Sequence, residues 1–286
     1  MLAEGPYNAV VFAGGGNRCV WQAGFWQVAA SAVGLRPRVV AGVSAGAYIA
    51  CILFSGRLSQ AMDYAQEAMG QNRRNFYPAN LWRGGALFPH LGIYRRGIRK
   101  ILDQAALERL HRGPELRVLL AHPPRWTGAL GGVLLGFGAY TLEKHLQTPL
   151  HPRFAAKLGF RAELVPVSAC REPQELADLI LASSCTPPVV PVMRRQGRVV
   201  LDGGLVDNVP LLAIAPGEGP TLVLLSRRYA PALLRGHDGV TYLQPSRDIG
   251  ISKWDYTNPR GVREAFDLGL RDGEAYLRGG AEALQA

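Results

Sequence analysis

The sequence predicts a layered α/β fold with a largely parallel central sheet. Two observations carry that expectation. Short apolar runs rich in β-branched residues alternate with longer segments of helical spacing, and 48% hydrophobic residues over 286 positions suffice for a large core. Gly 34 and Pro 20 follow no G-X-Y period, and 19% charged residues is too few for general disorder. No linker or repeat divides the chain, so one domain over 1–286 is expected. Its motifs lie within 8–210, and 211–286 form a C-terminal extension.

In chain order, Asn8 to Ala13 (NAVVFA) reads as a buried strand, followed by GGG and an apolar helix from Asn17 to Ala32. Arg38 to Val43 reads as a second strand and Ala45 to Phe54 as the helix after it. Gly70 to Pro89 is polar, aromatic and glycine-rich, and reads either as a lid or as a long connection. Tyr94 to Lys100, if helical, stacks Arg95 on Arg99 and Arg96 on Lys100, a face suited to anionic lipid. Leu116 to Ala121, Ala162 to Val167 and Thr221 to Leu225 are further strand candidates; Pro173 to Ala182 and Gly261 to Leu277 have helical spacing. Trp126 to Leu142 is free of charge over 17 residues but carries five glycines. That falls short of the roughly 20 apolar residues of a membrane span, so a buried or interfacial helix is expected.

Net charge is +10, and lysine accounts for only four of the 32 basic residues (Lys100, Lys144, Lys157 and Lys253). The arginines are spread along the chain without a nucleic-acid-binding motif, so no nucleic-acid partner is expected. Their forks match phosphate oxygens, which leaves anionic lipid as a partner and peripheral membrane association as an expectation. Cys19, Cys51, Cys170 and Cys185 lie far apart, with no CxxC pair, and suit reduced, buried thiols. The start MLAEGPYNAVVFAGGG has no basic region and no long apolar run, so it does not read as a signal peptide. A cytoplasmic location follows, and the residues carry no sign of oligomeric state.

Three places carry chemistry. Gly42-Val43-Ser44-Ala45-Gly46 is a GxSxG pentapeptide directly after a strand and before a helix, the context of a nucleophile elbow. Gly42 and Gly46 are needed because strand and helix backbones approach too closely for a Cβ. Gly14-Gly15-Gly16-Asn17-Arg18 also joins a strand to a helix, and successive glycines let amides converge on an anion. A dinucleotide loop is the competing reading, but its third glycine is Cys19 here and no acidic residue follows about 20 positions on. Asp202-Gly203-Gly204 follows the apolar run Val199 to Leu201, where open α/β sheets build sites; Asp207 and Asn208 beside it read as turn or capping residues.

The order GGGNR, GVSAG, DGG resembles the patatin-like phospholipase family. DGGLVDNVP and ASSCTPPVVPV (Ala182 to Val192) are similar to that family's segments around its catalytic aspartate. The likeness runs from Asn8 to Pro210. WDYTNPRGVREAFDLGLRDG looks like bacterial members but carries no motif assignable to chemistry. The resemblance implies a three-layer α/β/α fold and a Ser–Asp dyad, mapped onto Ser44 and Asp202. It implies an oxyanion hole at Gly14, Gly15 and Gly16, with Asn17 beside it and Arg18 at the family's basic position. Cys19 stands where the family usually has glycine.

The expected function is a serine lipid acyl hydrolase that cleaves the carboxylic ester bonds of phospholipids or related lipids, with neither metal nor cofactor. Two alternatives compete. An α/β-hydrolase would use a Ser44–Asp202–His237 triad, in the chain order of that fold. A non-catalytic lipid-binding scaffold would keep the fold without the chemistry.

Overall fold

The computed structural model describes residues 6–146, 150–151, 154–235 and 238–284, with side chains left aside at 140 and 142–146. The strands are β1 (Ala9–Phe12), β2 (Val39–Val43), β3 (Glu115–His122), β4 (Arg161–Pro166), β5 (Met193–Arg195), β6 (Arg198–Asp202), β7 (Thr221–Leu224) and β8 (Val240–Leu243). They form an eight-stranded sheet in the order β5-β6-β3-β2-β1-β7-β8, with β4 also paired to β3. β8, β7, β1, β2 and β3 run parallel. β4, β5 and β6 are antiparallel to their neighbours. The sheet is therefore largely parallel, as expected, with an antiparallel margin on one side. β7 lies against β1, so residues beyond 210 complete the middle of the sheet.

The helices are α1 (Val20–Ala32), α2 (Ala45–Phe54), α3 (Leu58–Gln71), α4 (Asn80–Arg83), α5 (His90–Ile101), α6 (Gln104–Arg112), α7 (Gly128–Leu146), α8 (Phe154–Lys157), α9 (Pro173–Ser183) and α10 (Pro259–Gly279). Alternation along the strands sorts the core onto two faces. Val10, Phe12, Val40, Val118, Leu120 and Leu222 point into a large cluster shared with α1, α2, α6, α9 and α10. Val11, Ala41, Val223 and Tyr242 point the other way, toward Leu150, Val209, Ala213 and Leu234. Ala121 and Leu201 continue that face under α7 and α8, with Ala155, Phe160 and Leu205. Helices thus flank a central sheet, thickly on one face and more thinly on the other.

α1 and α10 lie so close that a Cβ on Gly24 would stand 2.1 Å from Phe266 O, and one on Gly269 2.2 Å from Trp21 O. Trp21 Nε1 crosses the same interface to Asp272 Oδ2 at 2.7 Å. The stretch Gly70 to Pro89 contains the end of α3 and all of α4. It is tied to the C-terminal region by Asn72 Nδ2 to Tyr256 O at 2.9 Å and Asn75 Nδ2 to Asp255 Oδ1 at 3.0 Å. α7 carries the charge-free run, and no helix among the described residues is long and apolar enough to cross a membrane.

Pairing along β3 positions the site. One edge of β3 is held by β4, which pairs Arg117 through His122. The other edge is held by β2 as far as Leu119; beyond it β6 takes over, pairing Leu120 with Asp202 and Ala121 with Leu201. β2 and β6 therefore meet end to end on one edge, running toward each other.

Candidate active site

β1 and β2 are in register with Phe12 opposite Gly42, so the loops leaving their carboxyl ends start level on adjacent strands. Gly14 and Ser44 are each two residues further on. Ser44 lies between β2 and α2 with φ 54 and ψ −133, a left-handed conformation costly for a residue with a Cβ. The turn is tight enough to need both glycines. A Cβ on Gly42 would lie 2.6 Å from Ala47 Cα, and one on Gly46 2.5 Å from both Phe12 O and Ala13 O. The Ser44 N–H donates to Ser183 Oγ at 2.8 Å, and the Ser183 hydroxyl donates to Leu119 O at 2.7 Å. The elbow is thereby fastened to β3.

Ser44 Oγ donates to Asp202 Oδ2 at 2.7 Å, and the other carboxylate oxygen accepts the Gly204 N–H, also at 2.7 Å. Both side chains are buried, Ser44 and Asp202 each 8% exposed. Burial raises the Asp202 carboxyl from 3.8 to about 6, against the opposing pull of the Ser44 and Gly204 hydrogen bonds and the positive charge of Lys253. The direct Ser44–Asp202 bond leaves no space for an imidazole between the two. His237, the third member of the alternative triad, lies outside the described residues.

The glycine loop is pinned at its first residue. Gly14 N–H donates to Asn208 O at 3.0 Å, while Gly14 O accepts Ser226 Oγ at 2.6 Å and Asn208 Nδ2 at 3.2 Å. A trans peptide points its N–H opposite to its C=O, so Gly15 N–H faces away from Ser226 and Asn208. Gly15 and Gly16 N–H have no acceptor among the described residues. Gly14 is thus an anchor, because its amide is already engaged.

Asn17 and Arg18 serve the neighbouring segment 251–255 in the same way. Asn17 N–H donates to Lys253 O at 3.2 Å and its side chain to Asp255 O at 2.7 Å; Arg18 Nε donates to Ile251 O at 3.1 Å. Of the five residues expected around the oxyanion, the geometry leaves Gly15 and Gly16 with amides to offer. Cys19 is fully buried and its thiol donates to Ala13 O at 3.3 Å; it fills the space beneath the loop without entering the site. Asp207 is a turn residue, accepting Val209 N–H at 3.0 Å and bonding His151 Nδ1 at 2.9 Å.

Two cavities open from Ser44 in different directions, and both are bordered by Gly16 and Trp254. The first runs between α2, α3 and α5 and is walled by Ile49, Ile52, Met62, Met69, Ile93 and Val262. Tyr48, Tyr94 and Tyr256 also line it, and burial raises the pKa of each, which keeps the phenols neutral. His90 borders it with Nε2 2.8 Å from Trp254 O; burial lowers its pKa and favours the neutral ring. The second cavity is the more polar of the two and is lined by Asp202, Asn208, Ser226, Arg18, Arg227 and Lys253.

Sequence reasoning missed Ser183, Ser226 and the whole of 251–256. ASSCTPPVVPV stands out as a string, but nothing in it assigns a role to its first serine. Segment 251–256 meets the glycine loop largely through carbonyl oxygens, for which no side-chain motif exists.

The profile of the patatin-like phospholipases matches residues 10–215, well over half of the chain. No curated protein matches the sequence significantly. Among solved structures, the crystal structure of VipD from Legionella pneumophila is similar to this chain with a TM-score of 0.46 at 12% identity, covering 97% of this chain and 67% of that one. On the family match, this chain belongs to the patatin-like phospholipase family.

Proposed function

We propose that the protein is a serine lipid acyl hydrolase working through a Ser44–Asp202 dyad, with 1–286 acting as one domain. Family membership implies lipid acyl hydrolase activity. The observation that carries the finer reading is the 2.7 Å Ser44 Oγ to Asp202 Oδ2 bond, made by a strained serine in a buried setting.

Ser44 Oγ attacks the ester carbonyl as its proton passes to Asp202 Oδ2. The tetrahedral oxyanion accepts the Gly15 and Gly16 N–H groups, each donor worth roughly 3 kcal/mol in the transition state. Collapse breaks the acyl–oxygen bond, and the proton on Asp202 leaves with the alcohol. Water then attacks the acyl-enzyme, giving its proton to Asp202, and the second collapse frees the fatty acid and restores Ser44. A carboxyl whose pKa lies at about 6 is ionised at neutral pH, yet far more basic than an ordinary aspartate. The apolar cavity suits the acyl chain.

Docking on an anionic membrane surface accounts for a face the core does not use. Trp126, in the turn just before α7, and Leu130 and Leu134, one helical turn apart at the start of α7, are 80%, 72% and 66% exposed. Arg125, Arg194 and Arg198 border a cavity at the foot of that stripe, without a carboxylate among its lining residues. Phe137, further along α7, borders the polar arm of the site. The other basic face foreseen, on α5, keeps Arg96, Arg99 and Lys100 exposed, although Lys100 Nζ also lies 5.7 Å from the Tyr64 ring.

The decisive experiment compares wild type with Ser44→Ala on a panel of lipid esters, alongside fluorophosphonate labelling. Turnover and labelling that vanish together in a folded Ser44→Ala protein fit the proposal. Turnover retained by that variant overturns it.

A further inference from the structure

The apolar arm that opens from Ser44 is thinly walled on one side. Tyr64 on α3 and Ile93 on α5 border that arm, and both also border a third cavity, enclosed by α3, α5 and the stretch 72–89. The hydrolytic steps make no use of this third cavity. Tyr77, Phe88 and Pro89 give it apolar surface, and Arg96 and Lys100 stand along its α5 side. The stretch that roofs it satisfies its polar groups within itself. Tyr77 Oη donates to Asn72 Oδ1 at 3.0 Å, Tyr77 N–H to Leu87 O at 2.8 Å, and Asn80 Nδ2 to Ala86 O at 2.8 Å. The roof therefore keeps its shape without closing on α5.

Tyr64 is fixed in the shared wall by three contacts. Its hydroxyl donates to Ile93 O at 2.8 Å. Its ring takes the place of a side chain at 97, since a Cβ on Gly97 would stand 2.6 Å from Tyr64 Cε1. Lys100 Nζ lies 5.7 Å from the ring centroid, within cation–π range. Ile93, Gly97 and Lys100 follow at four and three residues along α5, so one face of that helix receives the ring. Gly97 borders the apolar arm and Lys100 the third cavity, so the ring is packed from both sides.

A chain whose carbonyl lies at Ser44 enters an arm of fixed extent. Each methylene gains from burial until the arm is full, and a longer chain must leave its end in water or overfill packed side chains. Resting on the hydrolase reading above, we infer that Tyr64 sets the longest acyl chain the protein accepts, by closing the apolar arm against the third cavity. With the ring removed the two cavities join, and the end of a long chain passes between α3 and α5 toward Tyr77 and Phe88. Tyr64 is on this account a specificity residue, meeting the chain and leaving the carbonyl to Ser44, Asp202 and the glycine amides.

The test compares p-nitrophenyl octanoate with p-nitrophenyl palmitate in one detergent; the two esters share a leaving group and differ in chain alone. The quantity read is the palmitate-to-octanoate ratio of kcat/KM within each protein, so that a general loss of activity cancels. Wild type favours octanoate. Tyr64→Ala raises the ratio by about tenfold or more, the effect of roughly two further buried methylenes. Ile93→Ala, at the other shared wall residue, moves it in the same direction and carries the test if Tyr64→Ala does not fold. Tyr64→Phe keeps the ring and leaves the ratio as in wild type. In parallel, octanoate and palmitate compete with a fluorescent fatty acid for folded Ser44→Ala, and Tyr64→Ala in that background tightens palmitate against octanoate by the same factor. A wild-type preference for palmitate, a ratio unmoved by both alanine variants, or one raised as much by Tyr64→Phe as by Tyr64→Ala overturns the inference; turnover of octanoate leaves the hydrolase reading standing in each case. A protein that turns over neither ester and escapes fluorophosphonate labelling refutes the hydrolase reading, and the competition still decides the role of Tyr64.

Discussion

Replacing Asp202 by Asn should inactivate the protein and stabilise it at the same time. Asn is nearly isosteric, its carbonyl oxygen can still accept the Gly204 N–H, and its amide can still face Ser44 Oγ. What it removes is a buried negative charge. Because burial raises the carboxyl from 3.8 to about 6, the folded protein binds a proton more tightly than the unfolded chain does. Between those two pH values the unfolded state is ionised while the folded state is not, so stability falls as pH rises through the interval. At about 1.4 kcal/mol per pH unit, the ionised carboxylate costs about 3 kcal/mol at pH 8 and nothing below about pH 4. Asn mimics the protonated form and escapes that cost. For a chain of this length the gain corresponds to roughly 5–10 °C in Tm. Thermal unfolding of both proteins at pH 8 and pH 4.5 checks it: the variant should melt higher at pH 8, and the gap should narrow to about a third at the lower pH, where about 1 kcal/mol of the cost remains. Hydrolysis should fall by roughly 10³-fold or more, because the amide cannot take the serine proton. Wild-type kcat/KM should itself drop about tenfold per pH unit below pH 6, as the base is protonated. Equal melting temperatures at pH 8, or a variant less stable there, would refute the account of Asp202 as a strained, buried base.

Further outcomes follow from the turn and its supports. Ser44→Gly relieves a φ of 54 that glycine adopts freely, and should raise stability by about 1 kcal/mol while abolishing turnover; chemical denaturation reads it. Gly46→Ala presses a Cβ to 2.5 Å from two backbone oxygens that cannot swing aside, and should cost about 3 kcal/mol or more, seen as a lowered denaturation midpoint. Ser183→Ala strips partners from the Ser44 N–H and Leu119 C=O, for a loss of about 1–3 kcal/mol per group in the same measurement, together with reduced kcat. Trp126→Ser with Leu130→Ser and Leu134→Ser should leave hydrolysis of a water-soluble ester intact while weakening co-sedimentation with phosphatidylglycerol vesicles by about tenfold or more. Vesicle binding that survives these changes would move the docking face elsewhere.

The parts of this fold that could be read from sequence are those in which a local constraint has a residue signature. β1 and β2 show as unbroken apolar runs because strands in the middle of a parallel sheet are covered on both faces. The elbow shows because only glycine fits at 42 and 46. The direction of β6 was hidden: Val199 to Leu201 looks like any buried strand, and its reversal is made by Gln196 and Gly197, whose φ values of 49 and 77 form the hairpin turn from β5. Gln-Gly is a weak signature for such a turn. Gly14 looked like an oxyanion donor because glycine is compatible with that role, and only the contact with Asn208 reveals that its amide is engaged. Ser183 and Ser226 act through hydroxyls on partners 139 and 212 positions away, a separation that no local pattern encodes.

The meeting of β2 and β6 explains how the proposed Ser44–Asp202 dyad would dispense with a third residue. Side chains leaving neighbouring parallel strands start about 4.8 Å apart, and the loops that follow diverge, so a bridging imidazole is the usual way to couple two of them. Here the serine and the aspartate end two strands that share one edge of β3 and run toward each other, so their side chains converge instead of diverging. The contact at 2.7 Å needs no intermediary. It also needs the pairing of Leu120 with Asp202 to hold, because a one-residue slip would turn Asp202 to the opposite face of the sheet. Two ties guard that register, one through a backbone carbonyl and one through a side-chain hydroxyl. Asp202 N–H donates to Cys185 O at 2.8 Å, and Ser183, two residues before Cys185, is the residue that fastens Ser44 to β3. The end of α9 therefore holds both Ser44 and Asp202, by a side chain on one and a carbonyl on the other. That shared tie accounts for the presence of ASSC among the segments that resemble the family, although none of its residues touches the proton that moves.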